Sequence, residues 1–276
     1  MPYVTVGQEN SAPIEIYYED HGSGRPVVLI HGFPLNGRAW ERQTRALLAA
    51  GFRVITYDRR GFGRSSQPVT GYDYDTFAAD LDKLLSELNL QGVCLAGHSM
   101  GGGEIARYLG KYGSARVRRA VIVSGVPPYL LKTPETPNGV PQEVFDQIAG
   151  GLTADRAAYF TEWNKNFFNL DETLGKRISP EVVQDAWNTA VGASPEGTIA
   201  CVATWHTDFR ADLPKIDIPV LVLHGTEDRV LPIDRCSRRL VPVLRRAGYE
   251  VRYDEFSGGH VVPPEIAVAA TRWLLA

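Results

Sequence analysis

Gly97-His98-Ser99-Met100-Gly101 sets a serine between two glycines, where the apolar run Val93 to Ala96 passes into the amphipathic run Gly101 to Tyr112. A serine on a sharp strand-to-helix turn stands clear of the sheet. The glycines give a strained turn its room, and the start of a helix favours negative charge nearby. That context, rather than the five-residue pattern alone, marks Ser99 as a candidate nucleophile for acyl transfer.

A hydroxyl becomes a good nucleophile only when a base takes its proton, and the base needs a carboxylate to fix its tautomer. With a serine on such a turn, chain order runs serine, acid, histidine. His260, in SGGHVVPP, is the one histidine beyond the last apolar run, and its glycines allow a tight loop. His21 precedes the core runs, His31 and His224 sit beside glycines at strand ends, His98 adjoins the serine, and His206 lies in a helical stretch. These five read as structural or pocket-lining. Asp228, in LHGTED, leaves a strand end between Ser99 and His260; it is favoured over its neighbour Glu227, and either would otherwise be a solvated loop charge. Acyl transfer also needs donors for the developing oxyanion. The N–H of Met100 supplies one, and the N–H of Phe33, in His31-Gly32-Phe33-Pro34, supplies the other. Pro34 cannot donate and constrains Phe33 toward an extended shape.

The elements that must hold these residues are visible as a rhythm. Apolar or β-branched runs at Ile14 to Tyr18, Val27 to Ile30, Val54 to Tyr57, Val93 to Ala96, Ala120 to Val123 and Val220 to Leu223 alternate with helical stretches such as Trp40 to Ala50 and Tyr74 to Leu88. Short, nearly continuous apolar strands suit a sheet covered on both faces, and the alternation implies a mostly parallel, doubly wound α/β sheet. The rhythm stops after Val123. Residues 127–212 open on a Pro-rich stretch, are helix-like and aromatic, and read as an inserted helical cap; 1–126 and 213–276 form the core. After Leu223 come a helix to about Ala247, a strand near Tyr249 to Phe256 and a closing helix from Pro264.

With 44% hydrophobic and 22% charged residues the chain is globular, and a net charge of -3 without any Lys/Arg-rich run gives no electrostatic reason for a nucleic-acid or membrane partner. No apolar stretch reaches the length of a membrane span and no secretory signal is visible, so a cytoplasmic location is expected. Cys94, Cys201 and Cys236 are far apart and lack CxxC spacing, which argues against disulfides or zinc and for core thiols. No metal or cofactor is called for by these residues.

Taken together, HGFPLNGRAW, YDRRGFGRSS, GYDYDTFAADL, GHSMGGGEIARY and TDFRADLPKIDIPVLVLHGTEDRVLP resemble the α/β-hydrolase fold's cofactor-free haloperoxidases, or perhydrolases, and their aryl-esterase relatives, over roughly residues 2 to 235. The resemblance implies Ser99, Asp228 and His260 as a triad with Phe33 and Met100 as oxyanion donors. It further implies esterases that also let hydrogen peroxide attack the acyl-enzyme, with a proline at position 34 moving the Phe33 carbonyl into reach of the peracid. Members of the branch typically read GFSMGTGE, whereas His98 and Gly102 make this chain GHSMGGGE. From about Cys236 the chain is instead similar to small carboxylesterases of the phospholipase-type branch, which suggests an engineered or recombined mosaic.

The reading that follows is a serine hydrolase of small aryl or short alkyl esters, with perhydrolysis as side or main activity. Phe33, Met100, Pro34, Trp205, Tyr129 and Val230 are the pocket candidates. Dehalogenases and epoxide hydrolases of this fold use a carboxylate nucleophile, so Ser99 disfavours both. A non-enzymatic ligand-binding protein is the reading from another class, since fold alone does not fix function. Family members are often oligomeric, so a homo-oligomer is an expectation.

Overall fold

The computed structural model describes residues 2–275. Its strands are β1 (Tyr3–Glu9), β2 (Ala12–His21), β3 (Pro26–Ile30), β4 (Arg53–Tyr57), β5 (Val93–His98), β6 (Val117–Val123), β7 (Val220–Gly225) and β8 (Val251–Phe256). They form one sheet in the order β1-β2-β4-β3-β5-β6-β7-β8. From β4 through β8 every neighbouring pair is parallel, while β1 and β2 join antiparallel at one edge. β1 departs from the sequence expectation, which begins its strands at Ile14. As the edge strand of the sheet it buries only Val4, so its sequence carries no continuous apolar run.

The central strands are apolar at successive positions because both faces are covered. Val28, Ile30, Leu95, Ile122 and Val222 enter one core, while Val27, Leu29, Cys94, Val121 and Leu221 enter another on the opposite face. This is the period-2 alternation of a strand with two buried sides. All three cysteines are buried and unpaired.

The helices are α1 (Glu41–Ala49), α2 (Tyr74–Glu87), α3 (Met100–Tyr112), α4 (Gln142–Phe168), α5 (Leu170–Thr173), α6 (Pro180–Val191), α7 (Pro195–Thr204), α8 (Ser237–Arg246) and α9 (Pro264–Leu275). α2, α3 and α8 contribute Leu81, Leu109 and Leu244 to the first core; α1 and α9 contribute Leu47 and Trp273 to the second. Local chemistry sets several helix starts. The Asp73 carboxylate accepts from the N–H of Thr76 at 2.9 Å, a cap worth about 1 kcal/mol. Ser179 and Ser194 cap α6 and α7, each followed by proline in the first turn. α4 is broken at Asp155 (φ -156°, ψ 91°), whose carboxylate accepts from Ala158 N–H at 2.9 Å and so starts a second helix.

Between β6 and β7 the chain is helical from α4 to α7, with only isolated bridges such as Leu131 with Val140 outside the helices. The C-terminal ends of the parallel strands share one edge of the sheet. There β3 runs into His31-Gly32-Phe33-Pro34, β5 into Ser99, β7 into the Asp228 loop and β8 into the His260 loop. In open α/β sheets this edge is where ligands bind.

Candidate active site

Ser99 sits between β5 and α3 with φ 55° and ψ -116°, a conformation that non-glycine residues rarely adopt. The turn is pinned from both sides. Ser99 N–H donates to the Val123 carbonyl at 2.8 Å, and the Ser99 carbonyl accepts from Gly102 N–H at 3.0 Å. The glycines of the motif are required by close approach. A Cβ on Gly97 would lie 2.4 Å from the Gly101 carbonyl oxygen, and one on Gly101 would lie 2.4 Å from that of Ile30.

Asp228 and His260 meet as the sequence order anticipates: His260 Nδ1 lies 2.7 Å from Asp228 Oδ2. The other carboxylate oxygen accepts from the N–H groups of Val230 and Leu231 at 2.9 and 2.8 Å. Burial pushes the Asp228 carboxyl up, but the charges and hydrogen bonds of His260 and His224 outweigh it and hold the group well below the usual carboxylate range. An ionised acceptor fixes the proton on His260 Nδ1, which leaves Nε2 as the basic nitrogen. Nε2 is buried and makes no hydrogen bond, to Ser99 or to any other described residue. Glu227, the alternative acid, points elsewhere: its Oε1 accepts from Thr226 and Ser257 at 3.2 Å.

The loop after β3 is held by a buried polar network. His31 Nδ1 lies 2.9 Å from the Gly32 carbonyl and Nε2 accepts from Arg59 N–H at 2.9 Å, so the ring is neutral with its proton on Nδ1. Burial and the nearby Arg59 charge keep it so, pushing its pKa well down. Arg59 also donates to the His31 carbonyl at 3.0 Å and to Glu104 of α3 at 2.8 Å, and Tyr57 donates to the same carboxylate. The Phe33–Pro34 peptide is cis. Among the described residues, neither Phe33 N–H nor Met100 N–H donates a hydrogen bond within the protein, as groups reserved for an incoming oxyanion would not.

Three of the five histidines set aside as structural or pocket-lining prove to brace the candidate residues. His224 Nε2 donates to the Leu231 carbonyl at 2.8 Å and lies 3.3 Å from Asp228 Oδ2, while its Nδ1 accepts from Ser237 at 2.7 Å. His31 holds the loop bearing Phe33. His98 Nε2 donates to the backbone carbonyl of His260 at 2.8 Å. Their sequence signal was adjacency to the motifs, but their partners lie far along the chain. The last contact also joins the two segments that depart from the family pattern, the turn at His98 and the C-terminal tail.

Of the pocket candidates, Phe33 and Trp205 are in contact, with ring centroids 5.0 Å apart and Trp163 and Phe160 at 5.5 and 6.2 Å from Phe33. Pro34 is buried beside them, and Val230 is half-buried on the Asp228 loop. Tyr129 is held elsewhere, its ring 5.0 Å from the Arg210 guanidinium and its carbonyl accepting from Arg239. Two cavities lie along the His98 turn and the His260 loop rather than beside these residues. One of about 380 Å³ reaches Gly32, His98 and Trp40; another of about 630 Å³ reaches His260, Asn169 and Ser257. Neither is lined by Pro34, Trp205, Tyr129 or Val230. Among the described residues no cluster of three His, Cys, Asp or Glu side chains is placed to hold a metal ion, and no helix is long and apolar enough to cross a membrane.

The family model described as the alpha/beta hydrolase fold matches residues 25–252. The chain belongs to the α/β-hydrolase family. A relative from Synechocystis sp., whose name assigns it provisionally to the non-heme chloroperoxidases, is 60% identical over 91% of each chain. A bifunctional esterase/perhydrolase of Acinetobacter calcoaceticus is 35% identical over 95% of each. The crystal structure of a bromoperoxidase from Bacillus anthracis superposes with a TM-score of 0.87 at 44% identity, covering 99% of this chain and 95% of that one. These likenesses bear out the haloperoxidase and perhydrolase resemblance. One natural fold spans the tail as well as the rest, so the composite origin gains no support. As an α/β-hydrolase the protein is an enzyme family member with a serine elbow, and its relatives' names point to small-molecule chemistry.

Proposed function

We propose that the protein is a serine hydrolase of small carboxylic esters, with Ser99 as nucleophile, His260 as base, Asp228 as the group orienting the base, and the N–H groups of Phe33 and Met100 as oxyanion donors. The observation that carries this reading is the buried Asp228–His260 pair, whose free Nε2 and strained serine partner share one sheet edge. Ser99 Oγ attacks the acyl carbon as its proton passes to His260 Nε2, and the departing alcohol takes that proton. Water then gives a proton to His260 and attacks the acyl-enzyme, releasing the acid and restoring the serine. The open Ser99–His260 bond fits a resting enzyme, since such bonds commonly tighten only with substrate.

Residues 127–212 serve as a cap in this reading. They supply Trp163, Phe160 and Trp205 around Phe33, and Phe167, whose ring lies 5.2 Å from that of His260. The aromatic surroundings favour apolar acyl or aryl groups.

A second reading, perhydrolysis, is favoured by Pro34 and by the haloperoxidase and perhydrolase names of the relatives. Here hydrogen peroxide replaces water as the acyl acceptor, and the product is a percarboxylic acid. A panel of p-nitrophenyl esters, with and without peroxide, separates the two; Ser99→Ala is expected to abolish both, and full activity in that variant would end both readings.

A further inference from the structure

We propose that His98 is a positioning residue for the base: by donating Nε2–H to the His260 carbonyl it ties the loop carrying the base to the turn carrying the nucleophile. This rests on the reading of His260 as base.

The loop needs such a tie. Between the end of β8 and Pro263, the backbone of residues 257–262 makes two hydrogen bonds to the rest of the described chain. One is from Glu227 N–H to the Gly258 carbonyl at 2.9 Å, and the other is from His98 to the His260 carbonyl at 2.8 Å. The first holds the loop to the acid's side; the second alone holds it to the serine's side. Val261 and Val262 pack against the cores on either side, but two consecutive glycines, Gly258 and Gly259, precede the base and a 630 Å³ cavity lies along the same stretch, so the bond fixes the backbone at His260 itself.

His98 is built for this task. Its ring lies 4.5 Å from that of His260 and is flanked edge-on by Trp40 at 6.4 Å and Phe167 at 6.1 Å, which set its plane. On the other side, a Cβ added to Gly32 would lie 2.9 Å from His98 Nδ1 and 3.0 Å from Ser99 Cβ, so the oxyanion loop, the nucleophile and His98 are already in contact. The carbonyl acceptor requires a proton on Nε2. Burial first, and then the neighbouring His260, push His98 down to about 3, so it stays neutral and does not oppose a positive charge on His260. The other titratable groups around it are His31, His224 and Asp228.

His98→Phe keeps an aromatic ring and removes the donor, whereas His98→Gln keeps an N–H near the level of Nε2. The expected result is a kcat lower by about 10- to 100-fold in the Phe variant, with KM within about twofold, since small misplacements of a catalytic group act on the chemical step. His98→Gln recovers kcat to within about threefold of the parent. By proton NMR, the low-field Nδ1–H resonance of His260 broadens in the Phe variant and sharpens again in the Gln variant. If the Phe variant does not fold, His98→Asn, whose amide is too short to reach the carbonyl, takes its place. A Phe or Asn variant with parental kcat and resonance, or a Gln variant as impaired as they are, overturns the proposal. If Ser99→Ala retains full ester hydrolysis, the hydrolase reading falls instead, and the His260 resonance alone decides whether His98 holds the loop.

Discussion

The two halves of the candidate site are built to different standards of rigidity. On the side of the proposed nucleophile, Ser99 and the Phe33 loop follow adjacent strands β5 and β3, their glycines are in backbone contact, and a buried Arg59–Glu104 pair locks His31 beneath them. On the base side, His260 rides a glycine-containing loop between cavities, anchored by a few hydrogen bonds. A strained turn must be over-determined to persist, whereas a base needs only correct aim. The comparison teaches that changes to the turn glycines and backbone of the first side act on folding and chemistry together, while side-chain changes at Ser99 and changes on the second side act on rate.

The sharpest way to break the comparison is at its chemical centre. Ser99→Ala is expected to lower kcat for p-nitrophenyl esters by about 10⁴-fold or more, leaving the melting temperature nearly unchanged; steady-state kinetics decides it. Asp228→Asn removes the acceptor that fixes the His260 tautomer, and a loss of about 10³- to 10⁴-fold in kcat is expected from the same assay. On the rigid side, Gly101→Ala forces a Cβ against the Ile30 carbonyl. It should lower stability by about 1–3 kcal/mol in denaturant unfolding, a loss that a comparable change at exposed Gly175 on the surface does not serve to mimic, since Gly175 has positive φ but open space around it.

Acid tests the neutral histidines that brace both sides. With His98 held at about 3, the unfolded chain binds a proton that the folded protein refuses between about pH 6.5 and 3. Stability from this group is therefore full above that window and declines as pH falls through it. His98→Phe should flatten the slope of unfolding free energy against pH by up to one proton, about 1.4 kcal/mol per pH unit, measured by urea unfolding across the window. The smallest effect sharpens the choice between acceptors: Pro34→Leu is expected to lower the ratio of perhydrolysis to hydrolysis by a few-fold, and an unchanged ratio removes Pro34 from the account.

Much of this was legible because strain and burial leave marks in sequence. The strained Ser99 turn demands Gly97 and Gly101, and two-sided burial makes β3, β5 and β7 continuously apolar. β1 was not legible, because a half-exposed edge strand carries a diluted pattern. Nor was the break at Asp155, where one carboxylate ends one helix and begins another. The bracing roles of His98 and His31 were hidden for a different reason. A histidine's function depends on what it faces, and His98 faces a carbonyl 162 residues away.

The three cysteines, described above as core thiols, carry a practical consequence. All are buried, and burial pushes Cys201 up to about 12 and raises Cys94 and Cys236 as well. Alkylating reagents need an accessible thiolate, so the folded protein presents a chemically silent surface to them. A single cysteine introduced on the exposed rim, at Ser257 for example, would be the sole fast-reacting thiol, and a spin label or fluorophore there could report the motion of the His260 loop during turnover without replacing any native residue of the core.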